Sequence, residues 1–424
     1  MSAIVEFYQS QIKNKPASLP ALAEVQRHAL QEFRRLGFPT RHHEEWKYTL
    51  VDPLLQYEFH SELPGNAEQF VVPAPEFGIH CGLNNGLFYN SDAILQLREK
   101  GVIVESLLTI IQEQPERVNA YLKQTHFEHG FQALNTASLN SGLFIYIPAN
   151  VKLEEPLVIN HWQDISELAV HSRTLIILEQ NASAVVVESY QGKKDCVYLN
   201  NQMTEVYLSE QADLTHYKVQ QESRKAFHIG HLSVQQACAS EFKSHSLSLG
   251  GRLVRSDINI AMKEPQAACL MNGIYIPGDN QHIDHHTVVN HIMPECRSTQ
   301  DYKGILSGKS RAVFNGKVIV APGAQQTEAQ QQNKNLLLSG QSEVNTKPQL
   351  EIFADDVICS HGATVGQLDE DALFYLATRG IGRQEASRYL IQAFAAENLK
   401  LIAYRPAAEW IGNLINQQLE ENHA

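Results

Sequence analysis

Cys359 and His361 are the side chains best spaced for chemistry in this 424-residue chain. They stand two residues apart in Asp355-Asp356-Val357-Ile358-Cys359-Ser360-His361-Gly362, so an extended strand projects both from one face. A thiolate beside an imidazole suits soft or borderline metals such as iron and zinc. Two ligands do not complete a site, so the others must come from elsewhere in the fold or from another chain. A Cys-His nucleophilic pair is the rival, since imidazole lowers a thiol pKa from its reference of about 8.5. That mechanism wants oxyanion donors close by, and no recognisable elbow accompanies the segment.

Three other segments invite a chemical reading. Gly304-Ile305-Leu306-Ser307-Gly308-Lys309-Ser310 resembles a nucleotide-binding loop, but it has three residues between its glycines where the phosphate cradle needs four. Arg311-Ala312-Val313-Phe314 after it is strand-like, whereas the cradle needs a helix N-terminus, so a β-turn is expected. His282-Ile283-Asp284-His285-His286, with His291, has the imidazole density of a metal site. On a strand, however, Asp284 and His286 share a face and His285 points away, which favours a polar ladder or a subunit contact. Arg41-His42-His43-Glu44-Glu45-Trp46-Lys47-Tyr48 reads as charges gathered around an anchoring Trp rather than as ligands.

Bulk properties narrow the classes. A net charge of −13 argues against nucleic-acid binding, which needs clustered Lys and Arg. Apolar runs such as Leu175–Leu178 and Ala184–Val187 are far too short to span a bilayer. Met1-Ser2-Ala3-Ile4 carries no basic-then-apolar leader, so a cytoplasmic protein is expected. Cysteines at 81, 196, 238, 269, 296 and 359 form no CxxC, which disfavours a zinc knuckle and a disulfide framework. Five of them read as small buried apolar residues, leaving Cys359 apart.

The elements that must position these residues fall into three stretches. Residues 1–140 read as mainly helical: Leu22, Val25, Ala29, Leu30 and Phe33 recur at helical spacing until Gly37 and Pro39. Pro64, Pro73 and Pro75 mark a connector, and Ala93–Leu97 and Ser106–Gln112 look helical. Residues 141–366 read as short β-runs, among them Leu143–Ile147, Thr174–Leu178, Ala184–Glu188, Thr204–Leu208 and Phe242–Leu249. Alanines 182, 212, 239 and 267 precede successive runs at intervals of 30, 27 and 28 residues. That period predicts a β-solenoid whose rungs stack, with a large antiparallel sandwich as the alternative. Residues 367–424 return to helix: Asp369 to Arg379 ending at Gly380, Gln384 to Leu401, and Ala407 to about Leu419. These last helices could pack on the solenoid end or dock a partner.

At this point a family resemblance becomes visible. Asp355 to Gly366, Phe374-Tyr375-Leu376, Arg379-Gly380-Ile381, Pro39 to Thr49 and Gln281 to Thr287 together closely resemble the SufD family of the SUF iron–sulfur cluster assembly machinery. The sibling SufB family usually carries Glu-His where this chain has Ser360-His361. The resemblance implies a right-handed parallel β-helix between N-terminal and C-terminal helical domains, the latter holding the ATPase SufC through Phe374, Tyr375, Arg379 and Gly380. It implies end-to-end pairing with SufB, and a transient iron–sulfur cluster at that contact with His361 as ligand and Cys359 near it. It implies a non-catalytic scaffold with no tightly bound cofactor, and a homodimer when the chain is isolated. A stand-alone metalloenzyme using Cys359, His361 and the His282–His291 cluster, or an inert solenoid adaptor, are the alternatives.

Overall fold

A computed structural model describes residues 3–14, 22–65, 74–122 and 126–423. Pro73 of the connector and the Met1-Ser2 opening lie outside the described residues. The chain begins with helices α1 (Ala3–Asn14) and α2 (Ala23–Leu36). There follow the hairpin β1 (Ile79–Asn84) and β2 (Leu87–Tyr89), α3 (Asp92–Leu97), β3 (Ile103–Ser106), α4 (Leu107–Glu113), α5 (Asn119–Leu122) and α6 (Gly130–Ser138). The described part of the first 140 residues is thus helical with three strands among the helices, and those strands join the β-domain.

From Ser141 the chain winds as a parallel β-solenoid of eight coils, each giving one strand to each of two sheets. The coils are β4 (Ser141–Ile147) with β5 (Leu157–Gln163), β6 (Ala169–Leu178) with β7 (Ser183–Gly192), β8 (Leu199–Leu208) with β9 (Asp213–Gln221), and β10 (Phe227–Gln236) with β11 (Glu241–Ser248). They continue as β12 (Leu253–Met262) with β13 (Ala268–Tyr275), β14 (His282–His291) with β15 (Arg297–Leu306), β16 (Arg311–Val320) with β17 (Thr327–Leu337), and β18 (Glu343–Ile352) with β19 (Val357–Gly366). Within the solenoid, even-numbered strands stack in register in one sheet and odd-numbered strands in the other, which excludes the antiparallel sandwich. Ser307–Ser310 is the turn into β16, and its amides face a carboxylate, not a phosphate: Lys309 N–H donates to Asp279 Oδ1 at 2.7 Å.

One corner explains the repeat. Asn150, Asn181, Gln211, Ala239, Gln266, Glu295 and Gln326 all hold left-handed φ between 51° and 64°. Each N–H donates to a carbonyl one coil further on, so the bend pairs its own backbone. The following position turns inward, and Ala182, Ala212 and Ala267 fill it. Ala239 is one residue out of phase: it occupies the left-handed site itself, and Ser240 takes the buried place.

Parallel sheets need cover on both faces. On the inner faces, the row Ile145, Ile176, Val206, Val234 and Ile260 is buried in one core with Val186, Leu214 and Phe242. Outside the even sheet, Phe33, Trp46 and Phe131 pack on Ala169, Leu199, Phe227 and Leu253. Helices α8 (Arg383–Leu399) and α9 (Arg405–His423) pack Ile391, Ala395, Ile411 and Ile415 on Val219, Leu247, Ile274 and Ile305 of the odd sheet. The C-terminal helices therefore lie along a face of the solenoid, not over its end. Each fully buried aliphatic side chain contributes about 1.5–3 kcal/mol.

Inside, large rings are admitted by glycine. Gly273 faces Tyr302, and Gly304 faces Tyr275, as reciprocal register partners on β13 and β15. A Cβ at either glycine would run into the opposing ring.

Candidate functional site: the terminal coil

Among the described residues β18 and β19 are the last strands of their sheets, so the backbone groups along their outer edges have no further strand there to pair with. On β19, Cys359 and His361 stand in register with Ala329 and Gln331 of β17, which puts both on the solenoid's inward side at its open mouth. Their environments differ. Cys359 is part-buried among Val318, Val320, Ala329 and Ala354. Burial pushes its thiol pKa up, and a backbone hydrogen bond at Ala329 offsets only part of that. A raised thiol is a poor nucleophile at neutral pH, which weighs against the Cys-His nucleophile reading. His361 is exposed. An imidazole in the open is of a type that can ligate borderline metals.

Apolar side chains surround this mouth. Ile352, Phe353, Ile358 and Val365 are 40%, 61%, 68% and 49% exposed, a cluster of apolar surface on a single coil. None of the four stands out by motif. Their signal lies in Glu351-Ile352-Phe353, where two adjacent apolar residues break the inward–outward alternation.

Beyond β19, Asp369 caps α7 (Glu370–Thr378) by accepting from the Asp371 and Ala372 amides. Phe374 and Tyr375 are 72% and 57% exposed on α7. Arg379 stacks 5.3 Å from the Tyr375 ring centroid and donates to its hydroxyl at 3.3 Å. Gly380 has φ 82°; its N–H donates to Ala377 O, and that of Ile381 to Leu376 O. Gly380 is therefore the left-handed stop of α7, and its part in any contact is to aim the chain.

The His282–His291 segment does not converge. His282 and His286 face outward, while His285 and His291 are buried in the interior. On the outer side Asp284 is fully buried: Arg255 Nη1 lies 2.6 Å from its Oδ2, His286 Nε2 3.1 Å from Oδ1, and the Thr49 hydroxyl donates at 2.5 Å. Arg255 also pairs with Asp257 at 2.7 Å and sits 4.4 Å from the Trp46 ring. His286 Nδ1 is 3.2 Å from Glu45, and Lys347 is 2.8 Å from Glu44. Burial would raise the Asp284 carboxyl, but Arg255 and His286 outweigh it and hold it well below the usual range. The polar-ladder reading is correct, and the partner of the ladder is the Glu44–Thr49 segment. Among the described residues, no three His, Cys, Asp or Glu side chains group to hold a metal.

Residues 160–394 match the family described as "SUF system FeS cluster assembly, SufBD core domain", and residues 2–159 match "SufBD protein N-terminal region". The chain belongs to the SufBD family. It is 33% identical to an iron–sulfur cluster assembly SufBD family protein of Synechocystis over 89% of this chain and 86% of that one. It is 33% identical to iron–sulfur cluster assembly protein SufD of Escherichia coli over 88% and 87%, and 28% identical to the chloroplastic protein ABCI7 of Arabidopsis thaliana over 93% and 85%. Among the described residues no helix is long and apolar enough to cross a membrane.

Proposed function

We propose that this SufBD chain is a cytoplasmic, non-catalytic scaffold subunit that pairs with SufB through its terminal coil and docks the ATPase SufC on α7 and α8. The observation that carries the reading is the open mouth itself. Two unpaired strand edges, four exposed apolar side chains and an accessible imidazole coincide on one coil. Unpaired edges template strand or coil addition, and an exposed apolar patch marks an interaction site. In isolation the same surface would pair with a second copy.

His361 supplies one ligand to a transient iron–sulfur cluster, and SufB supplies others. Cys359, part-buried, lies beside it as a secondary ligand candidate. Phe374, Tyr375 and Arg379 present an exposed aromatic and cationic surface for SufC, with Gly380 fixing the exit of α7. The test is co-expression with SufB and SufC, wild type against His361→Ala, scored by complex recovery and cluster absorbance. An intact complex without cluster supports the reading, because His361 is exposed and its loss leaves the fold alone. Full cluster formation by the variant removes His361 from the mechanism.

A further inference from the structure

The solenoid interior is divided. One half is aliphatic, and the other holds ionisable groups that the terminal coil does not use. Glu188 on β7 is fully buried; its Oε2 lies 2.8 Å from His216 Nε2, and its Oε1 lies 2.9 Å from the Tyr190 hydroxyl and 3.5 Å from His161 Nε2. A second carboxylate, Glu222, sits 2.7 Å from His228 Nδ1 and accepts from Asn200 and Gln220 at 3.2 and 2.9 Å, with Tyr198 buried beside it. Lys218 lies between the two: its Nζ is 3.0 Å from His228 Nε2 and 3.2 Å from Gln202 Oε1. The Gln202 amide donates to the Thr204 hydroxyl, which is 3.4 Å from Glu188 Oε2.

A row of polar groups therefore runs from Glu222 through His228 and Lys218 to Glu188 and His216. An amide that takes a proton on Oε1 and gives one from Nε2 is left as its imidic tautomer. Gln202 and Thr204 thus orient Lys218 and Glu188, and a proton crosses between those two on interior water. An ammonium only donates, so His228 Nε2 accepts from Lys218 and its Nδ1 carries the proton, 2.7 Å from Glu222 Oε2 but off the line of a hydrogen bond. Burial would raise both carboxyls, but His161 and His216 outweigh it at Glu188, and His228 does so at Glu222. Burial pulls Lys218 and His228 down.

Two features connect this row to the outside. Glu222 lines a crevice of about 290 Å³ between the corner after β9 and helix α9, bordered by Arg224 and Gln418. Lys218 is only part-buried although it faces inward, so the interior has room for water. Towards the open mouth the interior stays polar. Ser246 is in register with Lys218, Ser248 lies 3.3 Å from His285, Thr287 donates to Gln300 at 2.7 Å, and Gln331, 3.5 Å from Gln300, underlies His361. Ionic groups inside a core stabilise no better than apolar ones of equal size, and clusters of perturbed titratable groups mark functional sites.

We propose that these groups form an acid–base relay that moves protons between the α9 crevice and the solenoid interior, with Glu222 at its entry and Glu188 at its inner station. The reaction class it serves releases protons. When a hydrosulfide is built into a cluster as sulfide, its S–H bond breaks, the electron pair stays on sulfur and one H⁺ must leave. In that use the relay rests on the function proposed above.

Proton access is tested first, on the full chain carrying ¹⁵N-labelled histidine. The His216 and His228 signals, assigned with H216N and H228N, are followed after transfer into D₂O. In the wild type the imidazole N–H groups are expected to exchange within minutes. Glu222→Gln and, separately, Thr204→Val are expected to slow His216 at least tenfold without moving the melting temperature by more than a few degrees. Equal exchange in wild type and both variants, or no exchange in the wild type before global unfolding, overturns the relay. In the complex with SufB and SufC, Glu188→Gln should slow cluster formation and displace its pH profile. An unchanged rate and profile overturns the assigned role. A wild-type complex that builds no cluster overturns the scaffold reading instead, and the exchange result still decides the relay.

Discussion

At the first coil, β5 is paired by β1, and β1 by β2, while β3 runs antiparallel along β4, so both sheets end in short strands already covered by helices. At the eighth coil no strand among the described residues pairs beyond β18 and β19, and Phe353 and Ile358 stand in solvent. The same architecture thus has one end finished within the chain and one left open. Closing both ends would have needed only another hairpin. An unpaired edge is a template for adding a further strand, and His361 stands exposed at that open end.

The comparison breaks first if the closed part is not where stability resides. Arg255→Met should be the most damaging change, because it strands the buried Asp257 and Asp284 carboxylates. A loss of about 3–5 kcal/mol is expected, read as a lower denaturation midpoint at unchanged slope. Leu83→Ala, in the β1 closure and buried in the main core, should cost about 2–4 kcal/mol. A change near zero there would mean that the hairpin is not an integral closure.

Acid sharpens the same contrast. Burial depresses the imidazole of His245 to about 3, and those of His285 and His291 to about 4, all inside the solenoid on β11 and β14. Between the ordinary histidine value near 6.5 and those folded values, the unfolded chain binds more protons, so stability falls as pH drops from about 6.5 towards 4. His245→Leu should flatten that slope in melting temperature against pH, by on the order of 1–3 kcal/mol across the window. An identical slope in the variant would remove His245 from the acid response. The smallest stability effect is expected at the open end. Ile358→Ala should stay within about 0.5 kcal/mol of wild type while weakening self-association in sedimentation. A large destabilisation would show that Ile358 belongs to the core.

How much of this could be read in the residues varies by element. The solenoid was legible because the left-handed corner recurs every 27 to 31 residues, and the alanine spacing tracked it even though Ala239 is one place out of phase. The C-terminal helices were legible from their termini, since Asp369 and Gly380 act through bonds to near neighbours. Their resting place was not, because packing against β9, β11, β13 and β15 leaves no local spacing. The same holds for Glu45 and Thr49 meeting Asp284 and His286 across more than two hundred residues of chain. Glu188, His216 and His228 looked like ordinary polar positions on separate strands. Only coil-to-coil registration, some thirty residues at a time, makes them neighbours.

The left-handed corner also fixes how this chain can change length. One coil is one repeat of the corner bond, so an insertion or deletion of a whole coil preserves every inward and outward assignment and moves the open mouth by one strand spacing, about 4.8 Å. A partial coil has no such option and must be absorbed in the turns, as the 26-residue step from β10 to β12 and the 32-residue step from β16 to β18 show. Reach towards a partner is therefore adjustable only in fixed increments. A variant lacking one interior coil should present the same mouth from a shorter stem.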